Sequence, residues 1–110
     1  MAITVVSTNT DYTAAPFSLT TNNAWLLATN TYATSNAGQV LAVSGTGTVV
    51  DIDGSVVTTA IVAVGAAVSM NGSGTLSIGT TGSISTNANV GAAMLVTGSG
   101  TNTLTNEGLI

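Results

Sequence analysis

Three columns of glycine recur along this chain at a nearly constant spacing, and this period restricts the possible folds more than any other feature. Gly45, Gly72 and Gly98 are 27 and 26 residues apart. A second column precedes them by seven residues and a third follows them by nine or ten; their members are Gly38, Gly65 and Gly91, and Gly54, Gly82 and Gly108. Three columns that keep the same step indicate a structural repeat of about 27 residues.

Apolar residues occupy alternate positions within the same repeat. Leu41 and Val43 correspond to Val68 and Met70 in the next copy, and to Met94 and Val96 in the third. After the middle glycine, Val50 is expected to correspond to Ile78 and Leu104 if one residue is inserted in the later copies. A period of two is typical of a β-strand with one buried face. Each repeat therefore predicts three short strands separated by turns, and no segment shows a helical pattern.

A repeat of this length that holds three strands is typical of one coil of a parallel β-solenoid. The sequence thus predicts an all-β fold of about three coils, 38–64, 65–90 and an incomplete 91–110. Like residues of successive coils should stack in inward columns, so that Val43, Met70 and Val96 share one row. An antiparallel sandwich also uses short strands, but it gives no reason for three columns to keep step.

Residues 1–37 do not fit the glycine columns, and we interpret them as an N-terminal strand followed by an irregular cap. The stretch "AITVVST" is typical of a strand, and the only tryptophan and both tyrosines lie before residue 37. Aromatic bulk could cover the open end of a stacked core. An irregular early coil is the alternative, and a carbohydrate-stacking patch is a further, less favoured interpretation of the aromatic residues.

The charge inventory excludes several classes of function. The chain has no Lys, Arg, His or Cys, and its four acidic residues give a formal net charge of −4. Without basic side chains it cannot neutralise phosphate groups, so we expect no nucleic-acid partner. The longest apolar run, 60–70, is shorter than the roughly 18 residues that span a bilayer, so no direct membrane insertion is expected. The absence of the usual bases and nucleophiles predicts that the chain is not an enzyme.

The segment "GSGTNTLTNEGLI", 98–110, resembles the "NTLTN-x-G-x-I" units of bacterial secreted β-solenoid repeat proteins. These include autotransporter passenger regions, haemagglutinin-like adhesins and type I secreted surface proteins. The resemblance is clearest over 91–110, weaker back to Gly38 and absent before it. It implies an extracellular or cell-surface bacterial structural protein that serves in adhesion, a biofilm matrix or filaments. It implies no catalytic residues.

The stretch "DIDG" places Asp51 and Asp53 two residues apart, and therefore on the same face of a strand. Two carboxylates with neighbouring Asn and Thr oxygens could hold a calcium ion, which takes six to eight oxygen ligands. Neither of the familiar calcium-loop patterns is present, and a solvated outer face is the favoured interpretation. An acid–base pair for sugar cleavage is a remote alternative, because no other catalytic side chain accompanies it. Otherwise no cofactor is expected.

Hydroxyl pairs recur once in each repeat, as Thr46 and Thr48, Ser73 and Thr75, and Ser99 and Thr101. A flat array of such pairs could bind ice. The pairs lie beside glycines in predicted turns, and turn chemistry explains them more simply.

The third repeat ends about six residues short of a full copy. Either the sequence belongs to a longer protein or the missing strand comes from another molecule. No lysine and no late proline protect the last coil, and an unprotected strand edge favours association. We therefore predict homopolymers that assemble head to tail, with residues 1–10 of one copy on 91–110 of the next. The residues expected to take part are Ala2, Ile3, Thr4, Val5, Val6, Leu104, Leu109 and Ile110. The alternative is an adhesin fragment that binds a glycan or a surface, and ice or calcium binding is a minor one.

Overall fold

The computed structural model describes residues 1–59, 66–87, 92–98 and 100–110. Within them the chain forms thirteen β-strands and no helix, and it winds into a parallel β-solenoid. The predicted fold class is confirmed. Two glycines of the second column, Gly65 and Gly91, lie outside the described residues, as does Ser99 of the third hydroxyl pair.

The strands belong to three sheets, and the chain visits the sheets in turn. Sheet A contains β1 (Ile3–Val6), β4 (Ala24–Leu27), β7 (Thr46–Ile52), β10 (Ser73–Ile78) and β13 (Asn102–Asn106). Sheet B contains β2 (Thr10–Asp11), β5 (Tyr32–Ser35), β8 (Ser55–Thr58) and β11 (Ser83–Thr86). Sheet C contains β3 (Phe17–Leu19), β6 (Leu41–Val43), β9 (Ala66–Met70) and β12 (Ala92–Val96).

Each strand pairs with the strand three places further along the chain, and every strand pair described is parallel. One passage through the three sheets is therefore one coil, and an antiparallel sandwich is excluded. Residues 1–37 contribute β1 to β5 to the same three sheets. The first regular glycine repeat thus lies on coils that carry no glycine columns.

The predicted inward rows of sheet C are confirmed. Val43 is in register with Met70, and Met70 with Val96. A second row joins Leu41, Val68 and Met94. Because one face of each strand points inward, this register places like apolar side chains on top of one another.

The predicted row of Val50, Ile78 and Leu104 is wrong. Val50 and Leu104 both pair with Leu76, while Ile78 pairs with Ile52. The register shifts by one residue where β10 meets β7, between Ser73 and Gly74. Gly47 provides the additional residue on the β7 side, in a left-handed conformation with φ of 64°. The turn lengths therefore differ between copies, and an alignment anchored only on the glycines misplaces the strand that follows.

The glycine columns mark corners where successive coils come into close contact. A Cβ atom on Gly72 would collide with the carbonyl oxygen of Gly45, and one on Gly98 with that of Gly72. At the next corner, a Cβ on Gly108 would collide with the carbonyl oxygen of Gly82. The backbones can stack at this distance only because the side chain is a hydrogen atom.

The core fills the space that the three sheets enclose. Its inward residues are almost all apolar, and Trp25 lies among them, fully buried on β4. The exceptions carry hydroxyl groups: Thr48 is buried on sheet A, and Ser35 and Thr58 are buried in one row of sheet B. The Thr58 hydroxyl donates a hydrogen bond to the Thr86 hydroxyl of the next coil at 2.7 Å. The Ser35 hydroxyl oxygen accepts a hydrogen bond from the Ala37 N–H at 3.0 Å, so both buried hydroxyl groups of this row have partners.

Candidate self-association surface

The C-terminal end of the stack leaves the inward rows uncovered. Three apolar side chains of the last coil are about half exposed: Val96 at 45%, Leu104 at 48% and Ile110 at 46%. Met70, which lies one coil below Val96, and Leu76, which lies one coil below Leu104, are both buried. These three side chains come from all three walls of the core. The last coil therefore presents an apolar surface, which we call the open end.

The first coil closes the other end of the stack with its own side chains. Val6 and Leu19 belong to this terminal coil, yet they are only 7% and 2% exposed. The rings of Tyr12 and Phe17 pack against the core, and the Phe17 ring lies 6.4 Å from that of Trp25, centroid to centroid. Aromatic rings thus cover the apolar rows at this end, which we call the closed end.

The predicted N-terminal association residues form the first strand of sheet A. The Ala2 carbonyl accepts a hydrogen bond from the Ala24 N–H, and the Ala2 N–H donates to the Asn23 side chain. Thr4 and Val6 stand in the inward rows of Trp25 and Leu27. Ile3 and Val5 point outward and are each 61% exposed. The second edge of this strand has no strand partner among the described residues.

The predicted C-terminal association residues lie at the opposite edge. Leu104 is inward on β13, the last strand of sheet A. Leu109 forms a parallel bridge with Ser83 and therefore begins a further strand position on sheet B. Its N–H donates to the Gly82 carbonyl, and its own carbonyl accepts from the Ile84 N–H. The two predicted groups of residues are thus at the two ends of one stack, and no strand pairing among the described residues joins them.

Asp51 and Asp53, the candidate calcium ligands, lie on and just after β7. Partial burial, followed by the negative charge of Asp53, raises the pKa of Asp51 above its ordinary value. The backbone carbonyl of Asp53 accepts a hydrogen bond from the Thr81 hydroxyl at 2.8 Å. The described residues contain no group of three or more acidic, histidine or cysteine side chains. Two carboxylates supply a minority of the six to eight oxygens that calcium requires.

The hydroxyl pairs do not form the regular rows that an ice-like lattice would need. Ser73 pairs with Thr46, but Thr48 pairs with Gly74, because of the register shift. Thr48 is also buried. Thr75 stands beside Val49 and Thr103 instead.

The predicted association range 91–110 includes β12, but none of the eight residues named for the contact lies on this strand, although it is one of the most exposed apolar strands. Leu95 points outward and is 45% exposed, and Val96 beside it faces the uncovered core. The second edge of β12 has no strand partner among the described residues. The sequence signal for β12 is its apolar composition, since Leu95 is apolar although the period of two places it on the outer face.

The chain matches no protein-family model, no curated protein and no solved structure in the comparisons made. In the part of the chain that the structure describes, no ligand pocket is found and no helix is long and apolar enough to cross a membrane.

Proposed function

We propose that this chain is an extracellular structural protein that associates with itself, head to tail, into filaments or a surface layer. The observation that carries the proposal is the open end, where Val96, Leu104 and Ile110 expose the core rows. Covering about half of three such side chains contributes on the order of 1 kcal/mol each. A further coil in the same parallel arrangement would also pair the free strand edges.

When the open end of one molecule binds the closed end of the next along the same axis, each addition leaves one end free. The open end and the closed end lie at opposite edges of sheet A, on β13 and β1, and both strands run in the same direction. A second copy placed on the first in the same sense therefore leaves a new open end, and the product is a filament. A bacterial cell-surface or matrix location is part of the proposal, and it depends on the resemblance of 98–110 to secreted repeat units.

Electron microscopy of the purified chain tests the proposal. Concentrated wild-type protein should form long regular fibres. Leu104→Lys should abolish them, because association would bury an unpaired ammonium group in the core rows. Val49→Lys is the matched control: Val49 is 38% exposed and points outward from the middle of sheet A, away from both ends. This variant should still form fibres.

A mixing experiment tests the head-to-tail arrangement. Thr4→Lys blocks the closed end, and Leu104→Lys blocks the open end. Each variant alone should remain monomeric, whereas an equimolar mixture should form dimers and nothing larger, because only one pair of unblocked ends is available. Analytical ultracentrifugation distinguishes these states. Wild-type protein that stays monomeric at high concentration would contradict the proposal and favour an adhesin fragment.

A further inference from the structure

The two ends of the stack have the form of a ramp, because each coil rises by one strand as it passes through the three sheets. Sheet A holds five of the described strands, and sheets B and C hold four each. Leu109 and Ile110 begin a fifth position on sheet B. Within the described residues, the open end therefore lacks its fifth strand only on sheet C, directly above β12. The next strand along the ramp belongs at that place.

The chemistry of β12 specifies what can lie on it. Met94 and Val96 face inward, so a strand above them needs uncharged inward residues. Leu95 faces outward and is 45% exposed, so an apolar outward neighbour would shield it. The strand β13 presents a different outer face, because its outward residues are Thr103 and Thr105.

The strand β1 meets both requirements of β12. Thr4 and Val6 face inward, and Ile3 and Val5 face outward. Strands that are covered on both faces are typically apolar on both faces, as β1 largely is. In the single chain, however, Val5 on the outer face of β1 is 61% exposed. The following strand, β2, carries Asp11 on its outer face and resembles the polar outer face of β13 more than that of β12.

From this match we propose that, in the head-to-tail assembly, β1 of a second copy pairs in parallel with β12 rather than with β13. The inference rests on the proposed self-association and specifies its geometry. Thr4 of the second copy lies above Met94, Val6 above Val96, and Val5 beside Leu95. The second copy is then turned by one third of a turn, so that its β2 lies on β13 and its β3 on the position that Leu109 and Ile110 begin. No strand position remains vacant.

The arrangement fixes the helical symmetry of the filament. Within the described residues, thirteen strands and the position begun by Leu109 make fourteen strand positions, which is four and two-thirds coils. At a strand spacing of about 4.8 Å, each copy advances about 22 Å and turns by one third of a turn. If β1 lay on β13 instead, each copy would advance about 24 Å without turning, and one position above β12 would stay empty.

Disulfide trapping distinguishes the two arrangements, since the natural chain has no cysteine. Val5→Cys protein is mixed with an equal amount of Leu95→Cys protein, and in parallel with Thr105→Cys protein, under mild oxidation. Adjacent parallel strands bring Cα atoms within the 4.4–6.8 Å range that a disulfide requires. We expect the mixed disulfide of Val5→Cys with Leu95→Cys to exceed that with Thr105→Cys at least tenfold, as measured by intact mass on non-reduced samples.

The Thr105→Cys mixture is the matched control, because its cysteine occupies an outward position of the same open end. A mixed disulfide that forms mainly with Thr105→Cys would overturn the turned arrangement while leaving head-to-tail association in place. Failure of both mixtures to cross-link, with no fibres of the wild-type chain, would overturn the proposed function as well. Helical reconstruction of wild-type fibres gives an independent answer, because a rise near 22 Å with a one-third turn is expected and an unturned rise near 24 Å contradicts it.

Discussion

The closed and open ends of this solenoid contain the same inward rows, yet the inward side chains of the open end are far more exposed than those of the closed end. Leu76 and Leu104 are neighbours in one row of sheet A, with the same side chain and the same inward direction. Leu76 is buried, and Leu104 is 48% exposed. The difference comes from what lies above each residue and not from the residue itself. In a stacked fold, burial depends on position in the stack, and the last coil carries a core surface without a cover.

The closed end shows what covers such rows when the chain supplies the cover itself. Tyr12 and Phe17 pack against the core, and Val6 and Leu19 are buried although they belong to this first coil. No aromatic residue occurs after Tyr32, so the open end has no comparable cover in this sequence. At the first coil the chain's own side chains cover the inward rows, whereas at the last coil Val96, Leu104 and Ile110 stay about half exposed.

The largest expected effect tests whether the closed end is a true core. Trp25→Ala should lower the free energy of unfolding by about 3–5 kcal/mol, because it removes a fully buried side chain and leaves a cavity. Tyr32→Ala is the control, since Tyr32 is an aromatic residue that points outward and is 51% exposed. This control should lose about 1 kcal/mol or less. Urea denaturation at a concentration where the chain is monomeric measures both, and equal losses would mean that the first coils do not pack as described.

The second prediction compares one substitution at two heights of the same row. Leu76→Ala should cost about 2–5 kcal/mol, whereas Leu104→Ala should cost about 1 kcal/mol or less in the monomer. The same urea titration applies. The Leu104→Ala variant should in addition need a higher protein concentration than wild type before it forms fibres. A monomer cost for Leu104→Ala as large as that for Leu76→Ala would show that the open end is already covered within one chain.

Much of this fold was predictable from the sequence, because the glycine spacing fixes the coil length and the period of two fixes the inward face. Val43, Met70 and Val96 could be placed in one row on these two facts alone. The strands after the middle glycine could not, because Gly47 adds a residue near the start of β7 and places Val50 opposite Leu76. Periodic spacing determines register only where the turns have equal lengths.

The coils formed by residues 1–37 carry no glycine columns for a related reason. Two of their turn residues, Asn22 and Asn30, adopt left-handed conformations with φ of 59° and 61°. Asparagine is one of the few residues other than glycine that takes this conformation readily. In this region asparagine therefore marks turns that glycine marks in the later coils. The exposure of Leu95 could not be predicted from the sequence, because it depends on whether another strand lies above β12, and none of the described strands does.

The smallest expected effect compares a carboxylate of the first coil with one in the middle of the stack, through the pH dependence of stability. Hydrogen bonds from the Thr13 hydroxyl and backbone N–H lower the pKa of Asp11 below the ordinary value of 3.8. Asp11 therefore stabilises the fold above that value and loses this contribution as the pH falls through its lowered pKa. Burial and the Asp53 charge raise the pKa of Asp51, so the ionised carboxylate is less favourable in the folded chain than in the unfolded chain. Asp51 therefore lowers the free energy of unfolding increasingly as the pH rises toward and through the raised pKa.

The two aspartates should consequently respond in opposite directions to substitution by asparagine. At pH 7, Asp51→Asn should raise the melting temperature slightly and Asp11→Asn should lower it slightly. The Asp51→Asn difference should vanish once the pH is below 3.8, where the carboxyl is protonated in both folded and unfolded chains, whereas the Asp11→Asn difference should persist to lower pH. Thermal melts of wild type and both variants between pH 2 and pH 7 measure this. A lower melting temperature of Asp51→Asn than of wild type at pH 7 would contradict the raised pKa that burial, followed by the Asp53 charge, gives to Asp51.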